Sequence, residues 1–231
     1  AKVLASESLV GPGDLPVYEP YVRAVLATGV RRRSVSRWFN AVTVEADASA
    51  LREISAFPFV VRIVPVAGWT YEREPLPSPT LETGEKPLEE NLTYGASDLQ
   101  VHQINVPPLH VKGLTGNGVI IGVLDEGFAP FSVASLDSVD ILAMKDFVDG
   151  DDFPGETPEH GTGVLSTIAG YLPGEFVSPG YGAGFLLGRT EINWGIESTL
   201  EEDLWIEGIE WAETLGADIV TTSVGYTDWY T

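Results

Sequence analysis

The 231-residue chain has no cysteine, one methionine and three histidines. The missing thiols exclude disulfides, thiolate nucleophiles and every Cys-based zinc or iron–sulfur site, although they do not fix the compartment. Basic residues are scarce, with 13 Lys and Arg against 34 Asp and Glu, for a formal net charge of −21. That balance argues against nucleic acid or an anionic membrane as partner, because phosphate binding needs clustered cations. No apolar run reaches the roughly 18 residues of a membrane span. The opening AKVLASESLV lacks a long apolar stretch, so no signal peptide is expected in this chain. What remains is a globular composition, 44% apolar and 20% charged, with material for a core.

Charge is unevenly placed. Residues 1–80 hold nine basic and eight acidic side chains, whereas residues 81–231 hold four basic and twenty-six acidic. Between the two lies a segment with Pro75, Pro77, Pro79, Gly84 and Pro87, which cannot sustain a helix or an interior strand. The expected organisation is therefore a small α+β unit over 1–71, a linker over 72–90 and a larger α/β unit over 91–231. In the first unit the patterns predict a helix over Val17–Leu26, a strand over Trp38–Val44, a helix over Ala50–Phe57 capped by Asp47 or Ser49, and a strand over Val60–Val66. That order is most of a split βαβ arrangement without its opening strand. The run Arg31–Arg32–Arg33 reads as a solvated loop or a contact with the acidic second unit.

In the second unit, strand and helix patterns alternate, as in a parallel sheet covered by helices. Strands are expected over Val119–Leu124, Gly184–Leu187 and Ile219–Val224. Helices are expected over Gly161–Ala169 and from Glu201 to Leu215, the latter with Leu204, Trp205, Ile209, Ala212 and Leu215 as its apolar face. Gly116, Gly118 and Gly122 precede or enter a strand instead of following one, which excludes a dinucleotide-binding loop. Asn91-Leu92-Thr93 fits a glycosylation sequon, which matters only in a eukaryotic secretory pathway.

Three places could carry chemistry. Asp125 directly follows a predicted buried strand, where parallel sheets bind ligands; it reads either as a turn residue or as a carboxylate that orients a histidine. His160, followed by Gly161-Thr162-Gly163, opens a helix and reads either as a plain helix start or as an acid–base group. His102 and His110 lie in a polar connector without such a context. Ser223-Val224-Gly225 ends a strand that could pair with an extended peptide, and the alternative is ordinary sheet structure. No His-Glu-x-x-His spacing exists, so no metal is expected. The carboxylates could bind Ca²⁺, but no loop has the EF-hand pattern, and such a site is not assignable.

In order, these segments resemble the subtilisin-like serine proteases (subtilases, peptidase family S8). VIIGVLDEGF resembles the segment ending in the triad aspartate, here Asp125, and EHGTGVLSTIAG the histidine motif, here His160. WIEGIEWAETLGADIVTTSVGY resembles the helix and strand that wall the specificity cleft. Further upstream, SRWFNAVTVEADASALREISAFPFVVRIVPV resembles the inhibitor I9-like propeptide. The resemblance implies a doubly wound parallel sheet, incomplete on its C-terminal side, behind a ferredoxin-like α+β propeptide. It implies Asp125 and His160 as catalytic residues and Ser223, Val224 and Gly225 as the substrate-binding strand. No cofactor is required, the partners are a polypeptide substrate and the chain's own propeptide, and the location is secreted or cell-envelope.

The sequence departs from the pattern in three ways. Gly163 stands where a second histidine is common, and Glu126 where Thr or Ser is usual. No Gly-Thr-Ser nucleophile segment or oxyanion-hole asparagine segment follows before Thr231. The expectation is an N-terminal piece of a serine endopeptidase that is inactive alone. Two alternatives stand beside it: a pseudoprotease or propeptide-type inhibitor module that binds a protease, and a non-proteolytic acidic α/β ligand-binding protein.

Overall fold

The computed structural model describes residues 11–66, 71–72, 92–153, 155, 160–192 and 196–225. The N-terminal unit begins with helix α1 (Glu19–Leu26), which carries Pro20 in its first turn and buries Val22 and Val25. Strands β1 (Arg31–Ser36) and β2 (Ala41–Glu45) pair antiparallel, and helix α2 (Ala48–Ser55) follows. Asp47 caps α2 as expected, its carboxylate accepting the Ser49 and Ala50 amides at 2.8 Å. A short strand, β3 (Tyr71–Glu72), ends this part of the chain.

Two expectations fail here. The strand expected over Trp38–Val44 starts only at Ala41, because residues 37–40 form the turn, with Asn40 at φ 46°; the arginine run before it lies on β1. Arg31 pairs across to Glu45 and Arg33 to Asp203, so the extended backbone carries each cation to an acid. Val60–Val66 forms no strand, and Val61 is fully exposed. β-branched residues favour a strand only where a neighbouring ladder and a packed face receive them, and none is present beside this run among the described residues. The linker expected over 72–90 falls, apart from Glu72, outside the described residues.

The second unit runs through helices α3 (Asp98–Gln103) and α4 (Pro107–Val111) to strand β4 (Ile120–Asp125), strand β5 (Asp140–Asp146) and helix α5 (His160–Ala169). After these come strands β6 (Tyr171–Leu172), β7 (Phe176–Val177), β8 (Gly184–Arg189) and β9 (Ile196–Glu197), helix α6 (Thr199–Thr214) and strand β10 (Ile219–Thr222). The main sheet is wholly parallel in the order β10-β4-β8-β5. β6 pairs with β7, and β3 reaches across to β9, both antiparallel.

Alternation along the strands sorts the core. Val123, Phe185 and Leu187 face one way, onto Leu165 and Ala169 of α5 with Phe128 and Leu136. Leu124 faces the other way, toward α6, where Gly208 permits the approach: a Cβ there would stand 2.8 Å from Thr190 Cγ2 and 3.2 Å from Leu124. The connector histidines are structural. His110 lies 2.8 Å from the Tyr94 hydroxyl and donates to the Pro179 carbonyl at 2.9 Å, beside the small core of Tyr94, Val101, Val106 and Val177.

α6 departs from its expected apolar face. Leu204 and Ala212 are buried, but so are Glu201, Asp203 and Glu210, while Leu215 is exposed. Glu201 turns back on its own unit, accepting the Ile192 and Ser198 amides at 2.8 and 3.0 Å, whereas buried Asp203 and Glu210 and half-buried Glu207 meet the N-terminal unit. Glu207 accepts the Val35 amide at 3.0 Å, and Glu210 accepts the Ser36 hydroxyl at 2.6 Å and the Arg37 and Trp38 amides at 3.1 and 3.2 Å. Asp203 accepts the Thr43 hydroxyl at 3.1 Å and lies 2.8 Å from Arg33 Nη2, while Arg37 reaches Glu213. Spacing of four and three residues puts Asp203, Glu207 and Glu210 on one stripe of α6. Of the two readings of the arginine run, the contact with the acidic unit is the one the structure shows.

Burial pushes the Asp203 carboxyl above its ordinary value, against the opposing effects of Arg33 and Thr43. Burial likewise raises Glu207, although the Val35 amide and the charges of Arg32 and Lys145 oppose it. A carboxyl raised in the folded state holds more protons there than in the unfolded chain, so its contribution to stability grows as pH falls through the raised value and is lost as pH rises. Glu207→Gln keeps an acceptor for Val35 and sheds the buried charge. The variant should therefore melt higher than the wild type near neutral pH, and the gap should close as pH falls toward the ordinary carboxylate range. Thermal melts across that range check this, and a gap independent of pH would contradict it.

Candidate active site

β4 is an apolar strand that ends on a carboxylate. Val123 and Leu124 are fully buried, and Asp125, next in line, is also wholly inaccessible to solvent. A buried carboxylate is costly unless donors surround it. The Glu126 amide donates to Asp125 Oδ1 at 2.9 Å, and His160 Nδ1 lies 2.7 Å from the same oxygen. Asp125 Oδ2 is buried without a hydrogen-bond partner among the described residues. The His160 side chain is 34% exposed, so one edge of the ring faces the carboxylate while the residue still reaches solvent.

His160 stands at the first position of α5, whose start packs directly on the loop after β4. Gly161 permits this closeness, because a side chain there would overlap the Gly127 carbonyl oxygen. Thr162 fixes the same junction by accepting the Ala129 amide at 2.9 Å. With Nδ1–H donated to Asp125, the ring's lone pair is on Nε2, and the carboxylate fixes that tautomer.

Ser223, Val224 and Gly225 follow β10, which neighbours β4 at the edge of the sheet. Thr222 pairs with Leu124, so Ser223 continues at the level of Asp125 on the adjacent strand. Ser223 and Gly225 are exposed and Val224 is half-buried. The structure thus brings Asp125 and His160 into direct contact and sets the Ser223–Gly225 segment one strand away.

Two residues near the pair do not stand out in the sequence as site residues. Glu126 Oε1 accepts the His160 amide at 3.0 Å. Arg189 Nε donates to the Glu126 carbonyl at 3.0 Å, and its Nη1 lies 2.7 Å from both Asp146 and Asp149. Register explains Arg189: it is level with Asp125 on one side and Asp146 on the other. No local pattern reveals this, since charges at both ends of β5 hide its strand character. Among the described residues no group of three or more His, Cys, Asp or Glu could hold a metal ion, and no helix is long and apolar enough to cross a membrane.

Comparison with known families adds the decisive observation. Residues 116–230 match the subtilase family, and residues 6–78 match the peptidase S8 propeptide domain of Bacteroidota. The chain carries a subtilase domain behind a subtilase-family propeptide domain. Among solved structures it resembles fervidolysin from Fervidobacterium pennivorans, described as a keratinolytic enzyme related to subtilisin, at TM-score 0.64 and 17% identity. That likeness covers 92% of this chain and 36% of fervidolysin, so the chain spans about a third of that protein's length. At this identity the likeness concerns the fold: a parallel sheet with flanking helices behind a smaller α+β domain. Weaker likenesses are to MycP3 of the type VII (ESX-3) secretion system (TM-score 0.44, 18% identity, 58% of this chain and 37% of that one) and to MycP1 from Mycobacterium smegmatis (0.39, 22%, 65% and 40%). No curated protein matches the chain. The subtilase domain thus contains the Asp125–His160 pair, and the propeptide domain contains the β1 strand docked on α6.

Proposed function

We propose that this chain supplies the propeptide and the Asp–His part of the catalytic machinery of a serine endopeptidase. The observation that carries the reading is the 2.7 Å contact between buried Asp125 and His160, at the carboxyl end of a parallel strand inside the subtilase-matching region. In this reading Asp125 holds the ring with Nδ1–H donated. His160 Nε2 takes the proton of a serine hydroxyl as it attacks the peptide carbonyl, then returns it to the leaving amine. Ser223–Gly225 pairs with the substrate main chain. The substrate is a polypeptide, and the enzyme is secreted or in the cell envelope.

The same reading takes the main sheet as part of a doubly wound subtilisin-like sheet and the first unit as a ferredoxin-like propeptide. Residues 1–71 form that unit, 72–90 the link and 91–231 the catalytic part. The acid stripe on α6 supports the propeptide's role as an intramolecular cover, because it binds main-chain amides of β1 and the turn that follows.

A serine-bearing version tests the proposal. Extended to carry the family's serine segment, the protein should cleave fluorogenic peptides and accept a fluorophosphonate label. The 231 residues alone should do neither, since loss of the serine by itself costs about 10⁶ in kcat in subtilisin. A serine-bearing protein that neither cleaves nor labels sinks the reading, as does turnover by the 231-residue chain that survives serine-directed inhibitors.

A further inference from the structure

We propose that Glu126 is a positioning residue for the Asp125–His160 pair, anchoring the first amide of α5 so that the imidazole is held against Asp125. The purpose assigned to the pair rests on the function proposed above; the anchoring itself rests on geometry.

Glu126 hydrogen-bonds to both partners. Its amide donates to Asp125 Oδ1 at 2.9 Å, and its carboxylate accepts the His160 amide at 3.0 Å. The first amides of a helix have no acceptor within the helix, and a carboxylate placed there meets both the unsatisfied N–H and the positive end of the helix dipole. Here that acceptor comes from a residue 34 positions upstream, on the loop that directly follows Asp125. The bond therefore ties the start of α5 to the end of β4, and the distance between those two ends determines whether His160 Nδ1 reaches Asp125.

The anchor is itself held. Arg189 Nε donates to the Glu126 carbonyl, while its Nη1 lies 2.7 Å from both Asp146 and Asp149. Burial works against the Arg189 charge, but the two carboxylates outweigh it and hold the guanidinium above its ordinary value, so the clamp stays cationic. Arg189 lies between Asp125 and Asp146 in register, which fixes the ends of three strands relative to one another. Glu126 makes no contact with a reacting atom in this scheme. Its effect passes through the backbone of His160 to the ring.

The test uses the 231-residue chain and does not depend on turnover. Proton NMR should show a far-downfield, slowly exchanging resonance from the His160 Nδ1 proton bonded to a carboxylate. Asp125→Ala, which leaves the ring no acceptor at this position, identifies the signal by removing it. In Glu126→Ala that proton should exchange about tenfold faster, the size expected for loss of a single hydrogen bond to a charged group. Glu126→Gln keeps an acceptor oxygen and should restore slow exchange. A residue that only stabilised the helix would lower the melting temperature on replacement by alanine yet leave the ring proton unchanged, and that result would overturn the proposal. Should Glu126→Ala not fold, Arg189→Lys frees the Glu126 carbonyl instead: faster ring-proton exchange supports the anchor, and unchanged exchange overturns it. A wild-type chain with no such resonance would overturn the Asp–His pair itself, an outcome distinct from a present signal that ignores Glu126.

Discussion

Replacing His160 by alanine in the serine-bearing protein should lower kcat by about 10⁶, and Asp125→Asn by about 10⁴. The two losses differ because the two residues do different work. Without the imidazole nothing takes the proton from the nucleophile, and the residual rate comes from whatever else binds the transition state. In Asp125→Asn the side-chain amide would still present an oxygen to the ring. That amide also offers N–H donors, so the ring is free to settle in the wrong tautomer. The geometry makes Asp125 demanding: it is inaccessible to solvent, and its Oδ1 is shared between the Glu126 amide and His160. Single-turnover and steady-state kinetics on both variants check this. If Asp125→Asn retained near-wild-type kcat, the orienting role given to this carboxylate would be wrong even with the hydrogen bond in place.

Gly161→Ala should be damaging too, though less so, and through packing instead of chemistry. A Cβ at this position would overlap the Gly127 carbonyl oxygen and stand 3.0 Å from Asp125 Cβ and 3.1 Å from its Oδ1. The carbonyl is backbone and cannot rotate away, so α5 must retreat from β4. Overpacking of this kind costs about 1–3 kcal/mol, and a misplacement of about 1 Å at a reacting group can cost on the order of 10² in rate. The expected outcome is a melting temperature lower by several degrees and a kcat depressed in the serine-bearing protein, with Gly163→Ala as control. Nothing lies within 4 Å of a Cβ built at Gly163, so that variant should stay close to wild type. Equal effects from both glycines would show that space at Gly161 is not what holds the pair together.

Much of the candidate site is legible in the linear sequence because its signals are local. An apolar run ending on Asp125, and an imidazole followed by glycines at a helix start, are patterns of a few residues each. The position of Asp47 ahead of α2 is equally local and holds in the structure. The failures share a different cause. Val60–Val66 has strand-forming residues but no ladder to join among the described residues, and β5 is a strand whose charged ends disguise it. The apolar residues of α6 predict its helical state, yet the residues that decide its surroundings are Asp203, Glu207 and Glu210. Their burial depends on a partner strand more than 150 positions away.

By itself the amino-acid sequence determined the alternation of strands and helices in the second unit, the charge contrast between the two units and the two local contexts, at Asp125 and His160, in which an acid–base pair could be built. Each of these is written in neighbouring side chains. Only the tertiary structure decided that Asp125 and His160 touch, that Glu126 and Arg189 brace the junction, and that arginines form a strand laid on a row of acids. Those outcomes depend on strand register and on how near one helix comes to one sheet, and such distances arise only when remote segments are packed together.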